Sequence, residues 1–228
     1  MLSLLIISSM RATAQQQKWQ LGMHFSPSYN NLFINKATGF PRAISFYEAR
    51  QAAVGISSGF LLNKKISKRW VFETGLTYSN RTDRVDNYIL NYDGMMFITM
   101  PTIYSLSYST VVHSVYAPLN ALYFINEGKT KFFVQMGAAF VVNFLGASTF
   151  EIVKFNGEVE KQSYRSRFLN YQFGTIQTTA GFGVSRQVSD RFEIRATPTF
   201  HYFLNYKYSD KGVHPYSIGL NISAFIKL

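Results

Sequence analysis

The chain of 228 residues contains no cysteine, and only 15% of it is charged. The first absence excludes a disulfide scaffold and a thiolate metal site. The second separates it from soluble domains, which carry about 25% charged residues. Long apolar runs are also missing. Beyond the N-terminus nothing reaches the roughly 18 consecutive apolar residues of a membrane-crossing helix. What the chain does have is aromatic surface, with 21 Phe and 15 Tyr, and a net charge of +11. Aromatic richness excludes a disordered chain, because disordered segments lack such side chains.

The first residues read as an export address. Leu2, Leu4, Leu5, Ile6 and Ile7 form a short apolar segment that ends in Ala12-Thr13-Ala14. An apolar stretch followed by Ala-x-Ala is the pattern of a cleaved secretory signal. Residues 1–14 are therefore expected to be a signal peptide, and residues 15–228 a single barrel domain.

From there on, the dominant signal has a period of two. Successive strand side chains point to opposite faces. In the first segment, Trp19, Leu21, Met23, Phe25 and Tyr29 oppose Gln20, Gly22, His24, Ser26 and Ser28. Similar splits recur over 51–64, 69–82, 109–125, 131–146, 171–187, 191–206 and 215–228. These are eight segments long enough for tilted membrane strands. Short turns at 64–68, 126–130 and 188–190 alternate with longer connections at about 31–50, 83–108 and 147–170 and a shorter one at 207–214. This spacing predicts an all-β fold, an eight-stranded antiparallel up-and-down transmembrane β-barrel, with both termini on the tight-turn, periplasmic side.

Charge decides which face looks outward. A soluble barrel would point its apolar parity inward, whereas a membrane barrel points it at lipid. Glu73, Arg81, Glu193 and Arg195 all fall on the polar parity, among small residues that suit a crowded lumen. His24 and His201 share that parity. These six are the candidate lumenal network. Phe25, Phe72, Phe140, Phe182, Ile194 and Ile222 are expected to face lipid. Trp19 and Trp70 at the turn ends, and Tyr78 and Tyr202 at the loop ends, are expected to form two aromatic belts. The expected location is the outer membrane of a Gram-negative envelope.

The basic excess is uneven. The turns and termini hold nine basic and two acidic residues, against ten and eight in the four longer connections. A basic rim attracts anionic headgroups, at about 1 kcal/mol per residue. Outer-membrane lipid is thus the expected partner, and nucleic acid is not.

Two stretches carry a family resemblance. Val115-Tyr116-Ala117-Pro118-Leu119, and Thr179-Ala180-Gly181-Phe182-Gly183-Val184 followed by Ser189-Asp190-Arg191-Phe192, resemble outer-membrane β-barrel proteins of the PorT type. The departure is Tyr116, where that family commonly has Glu. The resemblance implies fold and location. Most such proteins have no assigned activity, and one branch assists secretion.

The chemistry candidates are few. The lumenal charges read as a paired polar plug in a barrel with little open bore. His24 and His201 read as satisfied lumenal histidines, and no metal or cofactor is implied. The rival reading is a lipid-modifying barrel enzyme of the lipid A deacylase or acyltransferase type. It would use His113 with Ser114 or Ser109, although adjacent strand residues point to opposite faces. A role as an enzyme is not expected. The connection 83–108, with Met95-Met96-Phe97-Ile98 and Ile103-Tyr104-Ser105-Leu106, reads either as a protein-docking surface or as strands continuing beyond the membrane. The expected function is structural or interaction-based, through the outer loops, in envelope maintenance or secretion.

Overall fold

The computed structural model describes residues 19–34, 49–89, 103–166, 175–204 and 213–228. Residues 1–14, the expected signal peptide, and Met95–Ile98 lie outside them. Ten strands follow in chain order: β1 (Trp19–Ile34), β2 (Arg50–Gln51), β3 (Ala53–Lys65), β4 (Trp70–Ile89), β5 (Ile103–Phe124), β6 (Thr130–Lys154), β7 (Val159–Ser166), β8 (Thr175–Gln187), β9 (Phe192–Phe203) and β10 (Val213–Lys227).

Eight of them close a ring in the order β1, β3, β4, β5, β6, β8, β9, β10, with every pairing antiparallel. The first and last strands join it, Phe25 lying opposite Ile222. Closure leaves no unpaired edge in the ring, the condition for a sheet to cross hydrocarbon. Leu228 N donates to Trp19 O at 3.0 Å, so the start of β1 and the end of β10 lie together on the tight-turn side.

The turns are set by local side chains. Ser67 Oγ accepts from the Trp70 N–H at 3.1 Å, and Ser189 Oγ from the Phe192 N–H, also at 3.1 Å. In the β5–β6 turn, Asn126 Oδ1 accepts from the Phe132 N–H at 2.6 Å, and Gly128 takes φ +125°. A glycine adopts that angle without steric cost.

The alternation becomes a two-sided wall. Phe140 and Phe182 point outward and are 52% and 54% exposed. Phe25, Phe72, Ile194 and Ile222 stand on the same outer surface. Glu73 and Arg195, by contrast, point inward at 4% and 2%. An apolar exterior around a polar interior is the reverse of a soluble protein and the pattern of a barrel in lipid. The fold is an eight-stranded antiparallel transmembrane β-barrel.

The structure corrects the expected connections. Much of 83–108 and 147–170 is strand: β4 runs to Ile89, β5 starts at Ile103, and β6 runs to Lys154 before turning into β7. Ile103–Leu106 thus belongs to β5. With β2 paired to β4 and β7 to β6, the sheet β2-β4-β5-β6-β7 continues beyond the closed ring. The apolar alternation fades there because neither face meets hydrocarbon, although the backbone pairing goes on through three register shifts. One sets Asp86 and Asn87 (φ +48°) against Ser107, another inserts Phe144 opposite the His113–Ser114 step, and the third sets Tyr104 outside the register between Ile103 and Ser105. A bulge bends its strand and raises the local twist.

Candidate functional site

Three tiers fill the lumen, and the lowest corrects the expectation of a wholly polar interior. At the tight-turn end, Val71, Leu122, Phe124 and Phe133 form a buried apolar cluster. Phe225 is fully buried nearby. These residues share the inward parity with the polar set, so they seal the barrel from within.

The second tier rests on that seal. Arg195 Nε donates to Glu193 Oε1 at 2.6 Å, and Nη1 to Glu73 Oε2 at 3.3 Å. Its guanidinium lies 4.3 Å from the Phe225 ring centroid, a cation–π distance. Ser185 Oγ donates to Glu193 Oε1 at 2.7 Å, and Asn120 Nδ2 to Glu73 Oε1 at 3.1 Å. The Asn63 amide, with its oxygen turned to the guanidinium, accepts from Arg195 Nη1 at 3.0 Å and donates to Glu73 Oε2 at 3.0 Å. Gln20 links the same groups, accepting from Arg195 Nη2 at 3.2 Å and donating to Glu193 Oε2 at 3.1 Å. Buried charges persist when paired and hydrogen-bonded in this way. Gly137 makes room for the network, since an added Cβ would stand 2.1 Å from Asn120 Oδ1. Glu73, Glu193 and Arg195 were legible from parity. Gln20, Asn63 and Asn120, which complete the shell, carry no signal beyond sharing that parity.

The third tier holds the histidines. His24 Nε2 meets Thr77 Oγ1 at 2.9 Å. Gln177 Nε2 donates to His201 Nδ1 at 2.6 Å, which makes that nitrogen an acceptor. Both histidines border an internal cavity of about 20 Å³, room for one water. The buried His24 Nδ1 and Asn221 Oδ1, also on its wall, find no protein partner among the described residues. Tyr116 lines both this cavity and a second one of about 40 Å³ nearer the mouth.

Arg81 stands apart from the lower network. It faces Asp83 at 3.9 Å and lies 5.1 Å from the Phe203 ring. The six candidates thus stand at three heights, with Glu73, Glu193 and Arg195 lowest, the histidines above them and Arg81 nearer the loops, as its place on β4 implies. Among the described residues no cluster of three or more metal-capable side chains occurs.

On the outer wall, Trp19, Trp70 and Tyr78 project outward near the two ends of the barrel. Tyr202 stacks with His214 at 5.7 Å. His113 is on this outer surface as well. Its Nδ1 lies 2.6 Å from the Tyr78 hydroxyl, and its ring sits 6.3 Å from Phe144. Ser114 points the other way, donating to Asn143 Oδ1 at 2.6 Å. Ser109 shares the outer face but lies four residues away, about 13 Å along an extended strand. The structure does not bring the two expected partners to His113.

A feature absent from the sequence reading lies above the belt on the outer wall. A cleft of about 530 Å³ opens between β3, β4, β5 and β6. Ala52 and Val54 line it on one side, and Thr82, Arg84 and Asp86 of β4 and Glu151 of β6 are among its other walls. Arg84 Nε donates to Asp86 Oδ1 at 2.8 Å, and this bond raises the guanidinium pKa further. Lys161 of β7 meets Glu151 at 2.9 Å.

No family model matches the sequence, and no curated protein matches it either. Solved structures do. Neisserial surface protein A is 12% identical with a TM-score of 0.39, over 89% of this chain and 95% of that one. The outer membrane protein OprG from Pseudomonas aeruginosa is 9% identical with a TM-score of 0.39, over 91% and 95%. Ail, the attachment invasion locus protein of Yersinia pestis, is 13% identical with a TM-score of 0.35, over 93% and 99%. At such identities and scores the fold rests on the strand pairings themselves.

Proposed function

We propose that this chain is an integral outer-membrane barrel of the PorT type, exported by its N-terminal signal, with both termini in the periplasm. Its lumen is a structural plug, and its function is non-enzymatic, carried by the sheet that rises beyond the membrane. The observation that supports this most directly is the contrast between the two ends of the barrel. The tight-turn end is closed by Phe133, Phe225 and the Arg195 cluster, while the other end continues as a paired sheet with water-facing charges. A sealed lumen has no use as a conduit, and an extended external sheet has no use unless something meets it.

The test has two parts. Refolded protein in planar bilayers is expected to show no steady conductance. A protease-cleavable tag inserted at Asn156-Gly157, the tip of the β6–β7 hairpin, is expected to be cut in intact cells. Conductance, or protection of the tag, overturns the reading. The rival enzyme reading is tested by incubating the protein with lipid A or phospholipid donors. Turnover abolished by His113→Ala would establish it.

A further inference from the structure

The cleft above the belt has a chemistry that the barrel itself does not require. Up to Tyr78 and Val115, the outer wall of β4 and β5 is mainly apolar. Further out, the directly opposed outward residues are Thr82 and Val111, then Arg84 and Ser109. Thr149 continues the second row on β6, and Glu151 stands opposite Ser107 one row further out. Within about 15 Å of the belt the wall therefore changes from hydrocarbon-facing to hydroxyl- and charge-bearing. The cleft lies at this change, with the exposed Val54 in the same lining as Arg84 and Glu151. The bulge at Asp86 and Asn87 bends β4 where the cleft forms.

The charges that line it are paired, Arg84 with Asp86, and Glu151 with Lys161 of β7, which stands outside the lining. A set with no net charge has little preference for a phosphate. It offers donors and acceptors side by side, which is what adjacent sugar hydroxyls require. Its volume lies in the range of ligand pockets, about 300–1,000 Å³.

We infer that this cleft binds the saccharide headgroup of an outer-leaflet glycolipid whose acyl chains lie on the apolar wall directly beneath it. A ligand bound there borders the lipid boundary, because Val54 in its lining continues the outward apolar row of Ile56 and Phe60 on β3. The inference rests on the transmembrane reading and names the partner of the outer sheet.

The experiment uses the full chain, two variants and two changed conditions. Barrel insertion is first checked in glycolipid-free phospholipid vesicles by strand circular dichroism and heat-dependent gel migration. Failure at this step overturns the membrane reading. Protein refolded with rough lipopolysaccharide is then extracted in mild detergent, and retained glycolipid per chain is quantified by mass spectrometry. Ser109→Trp, which fills the cleft, is expected to lower retention about tenfold, the worth of one or two lost hydrogen bonds. Lys129→Trp, on the opposite rim, is expected to leave it unchanged. Equal retention by Ser109→Trp and the parent chain, with insertion intact, overturns the cleft alone. Enzymatic removal of the lipid phosphates is expected to leave retention intact, and its loss would overturn saccharide recognition. Free core oligosaccharide is expected to compete only weakly. Competition as strong as that of the intact glycolipid would overturn the lipid as its source.

Discussion

The two ends of this barrel solve opposite problems. At the tight-turn end, inward side chains are shut away from water. Phe133 and Phe225 are completely buried there, and the charges above them are held by six or more defined hydrogen bonds. At the outer end, ion pairs such as Lys154–Glu158 and Lys161–Glu151 stand largely in solvent. Both ends are β-sheet with the same backbone ladder. The difference teaches that the ladder fixes the shape, while the surroundings of each side chain fix what it contributes. An equal distance in the two places has unequal consequences, because solvent screens one and not the other.

Substitutions can break this comparison. The largest effect is expected for Arg195→Ala, which leaves Glu73 and Glu193 buried without their cation. Removing one member of a buried pair costs about 3–5 kcal/mol. Urea unfolding in lipid vesicles measures it, and a loss comparable to that of an exposed pair would refute the tiered lumen. Phe133→Ala, in the seal, is expected to cost nearly as much, about 3–5 kcal/mol at most, through the cavity it leaves. Ile194→Lys sharpens the assignment of the outer wall. It is expected to cost about 2–4 kcal/mol if residue 194 lies near the bilayer midplane, whereas Thr197→Ser, facing inward, stays mild. Equal tolerance of both in vesicles would contradict the outward apolar wall.

The smallest effect belongs to the outer hairpin. The Lys154 ammonium and the Asn156 amide, both hydrogen-bonded to Glu158, hold its carboxyl below the usual carboxylate range. A group depressed in the folded state adds stability above its ordinary pKa and loses it as pH falls through the folded value. Acidification is therefore expected to loosen the 154–158 turn while leaving the barrel intact. A site-resolved NMR titration checks this, and Lys154→Ala should return the Glu158 midpoint toward the ordinary range.

The parity of the chain was legible because lipid on one side and a packed lumen on the other impose a strict period of two. It located Phe25, Phe140, Ile194 and Ile222 on one wall and Glu73, Glu193 and Arg195 on the other. The same rule hid the seal. Phe133 and Phe225 sit on the otherwise polar parity, and alternation states which face a residue takes, not at what height the lumen turns apolar. It also left 83–108 open between a docking surface and continuing strands, since beyond the membrane both faces meet water and the pattern fades while pairing continues. His113 was placed correctly opposite to Ser114 in direction, but its contact with Tyr78 comes from the neighbouring strand.

By itself, the sequence determined that the chain is all β, that eight strands alternate with turns, and that its greasy residues share one face. Those properties follow from the local period and from composition, which need no knowledge of the neighbours. Only the tertiary structure decided that Glu73 from β4, Arg195 from β9 and Gln20 from β1 meet at one height above an aromatic floor, and that a cleft opens where the wall changes from apolar to polar. Register between strands far apart in the chain sets both, and a period of two carries no information about register.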